Sequence, residues 1–296
     1  MIRRALCPAS FLALGACTAL GGGDRVNPEM PTWFTHPSGD MNLMFRRSLT
    51  IDARKVGEDY EHGQPEIDAA HGRVFVGSSD HGLYALRALD GSDLWRFEAA
   101  GMVQSEPLYD PELDAVYFGS NDGALYAVHA ATGTLIWRYD SGTDIGQRPA
   151  LHGDTLVFVN ASDQVFAVDR ATGKTKWQAR RTPALGMEIA GYAGPTIDGN
   201  TAFVAFSDGH VTAYDVANGA ERWSVDLSAE AEQAHPNEIL RHMDIDTTPV
   251  VVPGDGAPLV IVASYDGGVY GLDETSGTRI WANNDARGVH ALTHWH

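Results

Sequence analysis

Apolar and polar residues alternate with a period of two through most of the chain, in short runs separated by glycine-rich turns. One run, Val116 to Gly119, precedes the turn sequence Asn-Asp-Gly, and two more follow at Leu125 to Val128 and Leu135 to Trp137. Alternation of this kind between turn residues is typical of half-buried antiparallel strands. With a strand that begins at the proline before this stretch, the pattern predicts a four-stranded antiparallel sheet.

Five copies of this pattern follow one another along the chain. In each copy a glycine precedes a tryptophan by four residues, and a turn aspartate lies upstream with a small residue four or five positions after it. A proline opens each copy. The tryptophans are Trp95, Trp137, Trp177, Trp223 and Trp281; the glycines are Gly91, Gly133, Gly173, Gly219 and Gly277.

A sheet that is apolar on both faces buries them only by stacking against neighbours. Four strands in a repeat of about 40 residues is the pattern of a β-propeller blade. The sequence therefore predicts an all-β propeller with five complete blades and the five tryptophans as anchors between blades. The predicted blades span 64–99, 104–141, 147–180, 193–227 and 246–284. Residues 44–49 resemble the outer strand of a blade, the strand that carries the tryptophan in the repeats, without the other three strands. Such a strand would pair with the last blade and close the ring.

Composition excludes some functions. The net charge is −18, which argues against nucleic-acid binding because a phosphate-binding surface needs clustered Lys and Arg. The only cysteines are Cys7 and Cys17, so the predicted propeller contains neither a disulfide nor a thiol.

The first 17 residues combine Arg3 and Arg4 with an apolar stretch. The stretch is shorter than the roughly 20 residues needed to cross a bilayer, and it suits a secretory leader. It ends in Leu-Gly-Ala-Cys, which resembles a bacterial lipobox and implies lipidation of Cys17; the alternative is a leader with an incidental cysteine. Thr18 follows, which by the same resemblance implies an outer-membrane anchor. Residues 18–44, rich in Gly and Pro, predict a flexible tether before a propeller at 45–296.

Two connections between predicted blades are longer than the others, at 181–192 and 228–244. We predict a helical turn after Pro236 in the second. Long loops on a rigid scaffold are where function is usually carried.

The repeat resembles the tryptophan-docking repeat of the PQQ-like propellers, a group that includes quinoprotein alcohol dehydrogenases. Those enzymes hold PQQ over adjacent cysteines and use a Ca²⁺ bound by Glu, Asn and Asp, together with an Asp base. Since these features are missing here, we expect no cofactor and no enzymatic activity. His290, His294 and His296 have a spacing that suits Zn²⁺ or Ni²⁺, but a frayed terminus or a tail out of its natural context is the preferred explanation, and we expect no metal site.

The second long connection leads into the segment Asn237 to Val251, NEILRHMDIDTTPVV. This segment resembles the BamB family, lipoproteins of the outer-membrane β-barrel assembly machinery. The resemblance implies a non-catalytic scaffold on the periplasmic face of the outer membrane. It also implies that the POTRA domains of the barrel subunit BamA are bound; the contact residues carried over are Asp244, Asp246, Arg241, Glu238, Met187 and Ile189.

The chain departs from the family at one position, because the family has an arginine where this chain has Ala190. This departure leaves the contact by the first connection in doubt.

Three alternatives stay open at this point. The first is structural: Asp244 and Asp246 could be carboxylates that accept backbone N–H groups where the loop enters a strand. The propeller could also bind another envelope protein or ligand. Finally, the family resembled has eight blades, so five imply either a smaller ring or a chain that lacks its C-terminal blades.

Overall fold

The computed structural model describes residues 45–47, 49, 63–183, 193–234, 244–245, 247–254, 256–289 and 291–293. Within these residues twenty strands form five four-stranded antiparallel sheets, each built from strands consecutive in sequence. The predicted all-β propeller of five blades is confirmed. The first 44 residues, which include the predicted leader, Cys17 and the tether, lie outside the described residues.

The strand bounds follow the predicted repeat. Blade one contains β1 Glu66–Asp68, β2 Arg73–Gly77, β3 Gly82–Arg87 and β4 Asp93–Glu98. Blade two contains β5 Leu108–Asp110, β6 Ala115–Gly119, β7 Ala124–His129 and β8 Leu135–Asp140. Blade three contains β9 Ala150–His152, β10 Thr155–Asn160, β11 Gln164–Asp169 and β12 Thr175–Arg180. Blade four contains β13 Thr196–Asp198, β14 Thr201–Ala205, β15 His210–Asp215 and β16 Glu221–Asp226. Blade five contains β17 Val250–Val252, β18 Leu259–Ser264, β19 Gly268–Asp273 and β20 Arg279–Asn283.

The hydrophobic core lies between neighbouring blades. The middle strands β6 and β10 are buried along their whole length, because another blade covers each of their faces. In the outer strand β8 only Trp137 is buried, and Leu135, Arg138 and Asp140 are exposed. Apolar clusters join blade one to two, two to three, three to four and four to five, so the blades stack in sequence order.

The small residue of the repeat makes room for the tryptophan of the same blade. Trp137 lies directly opposite Ala127 on the neighbouring strand, and the register shifts just after that alanine. The same pairing and shift occur in all five blades. A β-bulge at this position turns the outer strand and directs the indole toward the next blade.

Four of the five tryptophans anchor one blade to the next, as predicted. Each indole Nε1–H donates to the carbonyl oxygen of the residue three positions before the turn glycine of the next blade. The bonds are Trp95 to Ala130 (2.9 Å), Trp137 to Arg170 (2.9 Å), Trp177 to Val216 (2.7 Å) and Trp223 to Glu274 (2.8 Å). The ring covers the glycine itself: a Cβ on Gly133 would lie 2.6 Å from the Trp95 ring. Trp281 differs, with 40% of its surface exposed.

A phenylalanine takes the tryptophan position against blade one. A Cβ on Gly91 would lie 2.5 Å from the Phe45 ring, and Arg47 donates to the Gly91 carbonyl oxygen (3.1 Å) and to Asp93 (2.7 Å). The segment from Phe45 therefore packs on blade one as the outer strand of a preceding blade would. Its predicted pairing with the last blade stays a prediction.

A short helix, α1 (Ser228–Ala234), begins the second long connection. Asp226 accepts the backbone N–H of Ser228 (2.9 Å), and the helical residues are mainly Ala, Glu and Gln, which favour helix. This helix lies before Pro236, whereas the predicted turn after Pro236 lies outside the described residues. No helix in the described part of the chain has the length and apolar character needed to cross a membrane.

Candidate functional site: two connections rooted on one turn

Both long connections emerge at the same end of the blades. Each runs from the outer strand of one blade to the innermost strand of the next, and in an antiparallel sheet this end also carries the turn between the second and third strands. In blade four that turn is 206–209, between β14 and β15. We call it the root turn.

The second connection begins and ends on the root turn. At its start, the Leu227 N–H donates to the Gly209 carbonyl (3.0 Å), and at its end the Ile245 N–H donates to the Phe206 carbonyl (3.3 Å). Leu227 and Ile245 are each 1% exposed. The stem of this connection is therefore fixed by backbone hydrogen bonds and buried apolar side chains.

The first connection begins on the same turn. The Arg181 Nε–H donates to Asp208 Oδ2 (2.8 Å), and the guanidinium lies 5.6 Å from the centre of the Phe206 ring. The Arg181 backbone N–H also donates to the Asp163 carbonyl (3.0 Å). Arginine paired with a carboxylate and stacked on an aromatic ring has little freedom of orientation.

The segments that follow the two connections are hydrogen-bonded to each other. The Gly194 N–H donates to Thr248 Oγ1 (3.1 Å), and the Thr196 hydroxyl donates to the Pro249 carbonyl (2.5 Å). The two connections therefore leave and re-enter the scaffold side by side.

A buried carboxylate supports the root turn from blade three. Asp163 is 2% exposed and accepts the Ser207 hydroxyl (2.5 Å). Burial raises the pKa of the Asp163 carboxyl above its ordinary value of 3.8, and the hydrogen bonds from Ser207 oppose that rise only in part. Because the folded protein then holds this proton more tightly than the unfolded chain, stability falls as pH rises through the window above 3.8.

Replacing the Asp163 carboxyl by an amide should remove the fall in stability with rising pH, because an amide does not ionise. Asp163→Asn keeps an acceptor for Ser207, and asparagine tolerates the positive φ of 53°. We expect the thermal midpoint of the variant to exceed that of the parent at pH 7.5, with the difference shrinking toward pH 4. A difference that does not change with pH would contradict the raised pKa.

Of the residues predicted to bind a partner, only Asp244 lies in the described part of the chain. It precedes Ile245 at the end of the second connection and is 3% exposed. Both roles of Asp244, direct contact with a partner and acceptance of backbone N–H groups, stay predictions. The other predicted contact residues lie outside the described residues: Asp246, Arg241, Glu238, Met187 and Ile189. The same holds for the three histidines whose spacing suits a metal ion, His290, His294 and His296.

Arg181 and Asp208 were not identified from the sequence as site residues. The sequence marks Asp208 as one of five equivalent turn aspartates. Nothing local distinguishes it from the others, because its role depends on an arginine from another blade.

The described residues do not fit a quinone cofactor. Both cysteines precede residue 18, and no group of three His, Cys, Asp or Glu residues within the described ranges is arranged to hold a metal ion. Where the innermost strands of the first three blades meet, Arg148 donates to Glu66 (2.9 Å), to Glu106 (2.5 Å) and to the Pro107 carbonyl (2.9 Å). These groups pair with one another and hold three blades together.

Solved structures with this fold include a BamB protein and alcohol dehydrogenases. BamB from Moraxella catarrhalis superposes with a TM-score of 0.58 at 21% identity, over 77% of each chain. Quinohemoprotein alcohol dehydrogenase from Comamonas testosteroni gives a TM-score of 0.58 at 18% identity, over 76% of this chain and 43% of the enzyme. At such identities these likenesses show the fold alone.

Sequence comparison is more specific. BamB of Yersinia pestis is 29% identical over 217 residues, which cover 73% of this chain and 42% of that protein. BamB of Salmonella typhimurium (strain LT2) is 33% identical over 95 residues, which cover 32% of this chain and 22% of that protein. The chain thus spans less than half the length of these curated relatives. The family model described as outer membrane protein assembly factor BamB matches residues 112–295. Because that match covers more than half of the chain, the chain belongs to the BamB family.

Proposed function

We propose that this protein is a non-catalytic scaffold of the outer-membrane β-barrel assembly machinery and binds the POTRA domains of a BamA-like barrel subunit through its two long connections. The observation that carries the proposal is the common root of those connections on the turn 206–209. Membership of the BamB family supports the assembly role, and the side-by-side stems favour one partner surface formed by both connections.

The physical basis is a fixed scaffold that presents two loops at one face. The net charge of −18 would steer a basic partner surface toward the protein. Met187 and Ile189 in the first connection would supply apolar area that is desolvated on binding. Arg241 and Glu238 in the second connection, with Asp246 just after it, would supply polar contacts. A lipid on Cys17 would keep the scaffold at the periplasmic face of the outer membrane.

The test is a binding titration of the full chain against the POTRA segment of the barrel subunit from the same organism. We expect Asp246→Lys combined with Met187→Asp to weaken binding at least about tenfold, or about 1.4 kcal/mol. Asp90→Lys is the matched control, because Asp90 is half exposed in a turn at the opposite end of the strands. A folded parent that does not bind would favour the alternative of another envelope ligand.

A second variant tests the common root. Arg181→Ala removes the ion pair with Asp208 and the stacking on Phe206, while the backbone bond to the Asp163 carbonyl is kept. We expect POTRA binding to weaken about three- to tenfold, with a loss of stability of only about 1 kcal/mol because the ion pair is partly exposed.

Arg138→Ala is the control for this variant. Arg138 stacks on Tyr126 (5.6 Å) and lies 3.5 Å from Asp122, so it makes the same kinds of contact in blade two, away from both connections. Equal weakening by Arg138→Ala and Arg181→Ala would contradict a specific role for the root turn.

A further inference from the structure

One position of the repeat differs between blades, at the end of the strands opposite the two long connections. It combines the first residue of the second strand with the residue before the tryptophan on the outer strand. In blade three these are Thr155 and Lys176, and the lysine Nζ donates to the threonine hydroxyl (2.8 Å). In blade four they are Thr201 and Arg222, and the guanidinium makes the same bond (2.7 Å). A cationic side chain therefore closes this position in both blades.

Blade one closes the position with a different arginine. Arg73, the first residue of its second strand, donates to Asp68 (2.7 Å), and its guanidinium lies 5.4 Å from the centre of the Tyr109 ring in blade two. The arginine side chain is 8% exposed. Of blades one to four in the described part of the chain, three thus fill this position with a hydrogen-bonded cation.

Blade two is the exception, because its two residues at this position are Ala115 and Ile136. Neither side chain can donate a hydrogen bond, and both line a cavity of about 160 Å³. The buried Tyr117 and the partly exposed Leu113 also line it. Blade two therefore has an apolar opening at the surface where the neighbouring blades have a cation.

The size and walls of the cavity indicate what it accepts. An engineered cavity of about 150 Å³ with apolar walls binds benzene. The space in blade two is of that size, and burial of an aromatic ring against aliphatic side chains is favourable in proportion to the apolar area removed from water. The cavity therefore suits the phenyl ring of a phenylalanine.

Carboxylates lie beside this cavity. Arg170 of blade three also lines it and pairs with Asp110 (3.1 Å) and with Glu112. Asp154 lies 3.7 Å from the same guanidinium. One positive charge thus faces three negative ones, and the side chains of Glu112 and Asp154 are 73% and 76% exposed. This arrangement attracts cations next to the apolar cavity and repels the headgroups of an anionic lipid surface.

We propose that this cavity binds a protein segment in which a phenylalanine is flanked by lysine or arginine. The ring enters between Leu113 and Ile136, and the flanking cations pair with Glu112 and Asp154. The site lies at the opposite end of the strands from the root turn, so the proposal goes beyond the scaffold function and does not depend on it.

The test uses the full chain with ¹³C-labelled isoleucine methyl groups and the peptides Lys-Phe-Lys, Lys-Ala-Lys and Glu-Phe-Glu, each blocked at both ends. The Ile136 signal is assigned from the spectrum of Ile136→Val. We expect Lys-Phe-Lys to shift this signal and to bind at least about tenfold more tightly than Lys-Ala-Lys, which has no ring to bury. Glu-Phe-Glu should bind at least about threefold more weakly than Lys-Phe-Lys, and high salt should reduce that difference.

Two variants and a control locate the binding. Ala115→Thr combined with Ile136→Lys copies the pair of blade three and closes the cavity, so the affinity for Lys-Phe-Lys should fall at least about tenfold. Leu113→Ser, in an exposed turn, should also weaken binding and leave the fold intact. Leu94→Lys is the matched control, because Leu94 is the residue of blade one equivalent to Ile136 and is 41% exposed. It adds the same charge away from the cavity and should not change binding, as measured from the ring signals of the peptide.

The proposal is overturned if Lys-Phe-Lys leaves the Ile136 signal of the parent unchanged. It is also overturned if the peptide binds both cavity variants, checked for folding by circular dichroism, as tightly as it binds the parent. Equal binding of Glu-Phe-Glu would contradict a basic partner. Broadening of the Ile136 signal by phosphatidylglycerol vesicles, without a response to the peptide, would overturn the proposal in favour of a membrane surface.

Discussion

Trp177→Ala is expected to destabilise the protein by about 3–5 kcal/mol, the range found when a large buried aromatic side chain is truncated. Trp177 is 8% exposed and lies 5.9 Å from the ring of Tyr214 in the next blade. The substitution removes this contact and the cover over Gly219. It also leaves the buried carbonyl of Val216 without its donor at 2.7 Å.

Trp281→Ala is the matched comparison, because Trp281 has the same position within its own blade. With 40% of its surface exposed and no next blade against it in the described part of the chain, we expect a loss of about 1–2 kcal/mol. Urea unfolding followed by far-UV circular dichroism measures both variants. Equal losses would show that the tryptophans stabilise mainly their own blades and would refute their role as anchors between blades.

Gly173→Ala is expected to cost about 2–5 kcal/mol, from two sources. The positive φ of 68° is unfavourable for alanine by about 1–2 kcal/mol. In addition, the new Cβ would lie 2.8 Å from the Trp137 ring, and overpacking of this kind costs about 1–3 kcal/mol.

Gly153→Ala separates these two sources. Gly153 has a φ of 53°, but a Cβ there meets nothing within 4 Å, so only the backbone cost of about 1–2 kcal/mol is expected. The difference between the two variants measures the packing of the indole on the glycine turn. If both variants lose the same stability, the turn glycines are required by backbone conformation alone and not by the neighbouring tryptophan.

The sequence identified the parts of the fold that depend on local chemistry. Alternation of apolar residues gave the strands and the number of blades, since the side-chain period of a strand is two. Gly133 and Trp137 could be assigned to a turn and an anchor because a repeated motif in a stacked architecture has a repeated environment. The segment near Phe45 was singled out as a strand-like segment, although it contains no tryptophan, and its predicted pairing with the last blade stays a prediction.

The candidate site was predicted only at the level of its two connections. Their length identified them, but their common root depends on Arg181 meeting Asp208 of another blade, which spacing does not reveal. The burial of Asp244 likewise depends on how the end of a loop packs against its neighbours.

By itself, then, the sequence determined the class of fold, the bounds of the blades and the residues that join them, because strand alternation and turn glycines act over a few residues. Only the tertiary structure decided that two distant connections share one turn, that Phe45 replaces a tryptophan on Gly91, and that Trp281 is left uncovered. These three features are contacts between blades, and their energies depend on distances between residues that no local pattern encodes.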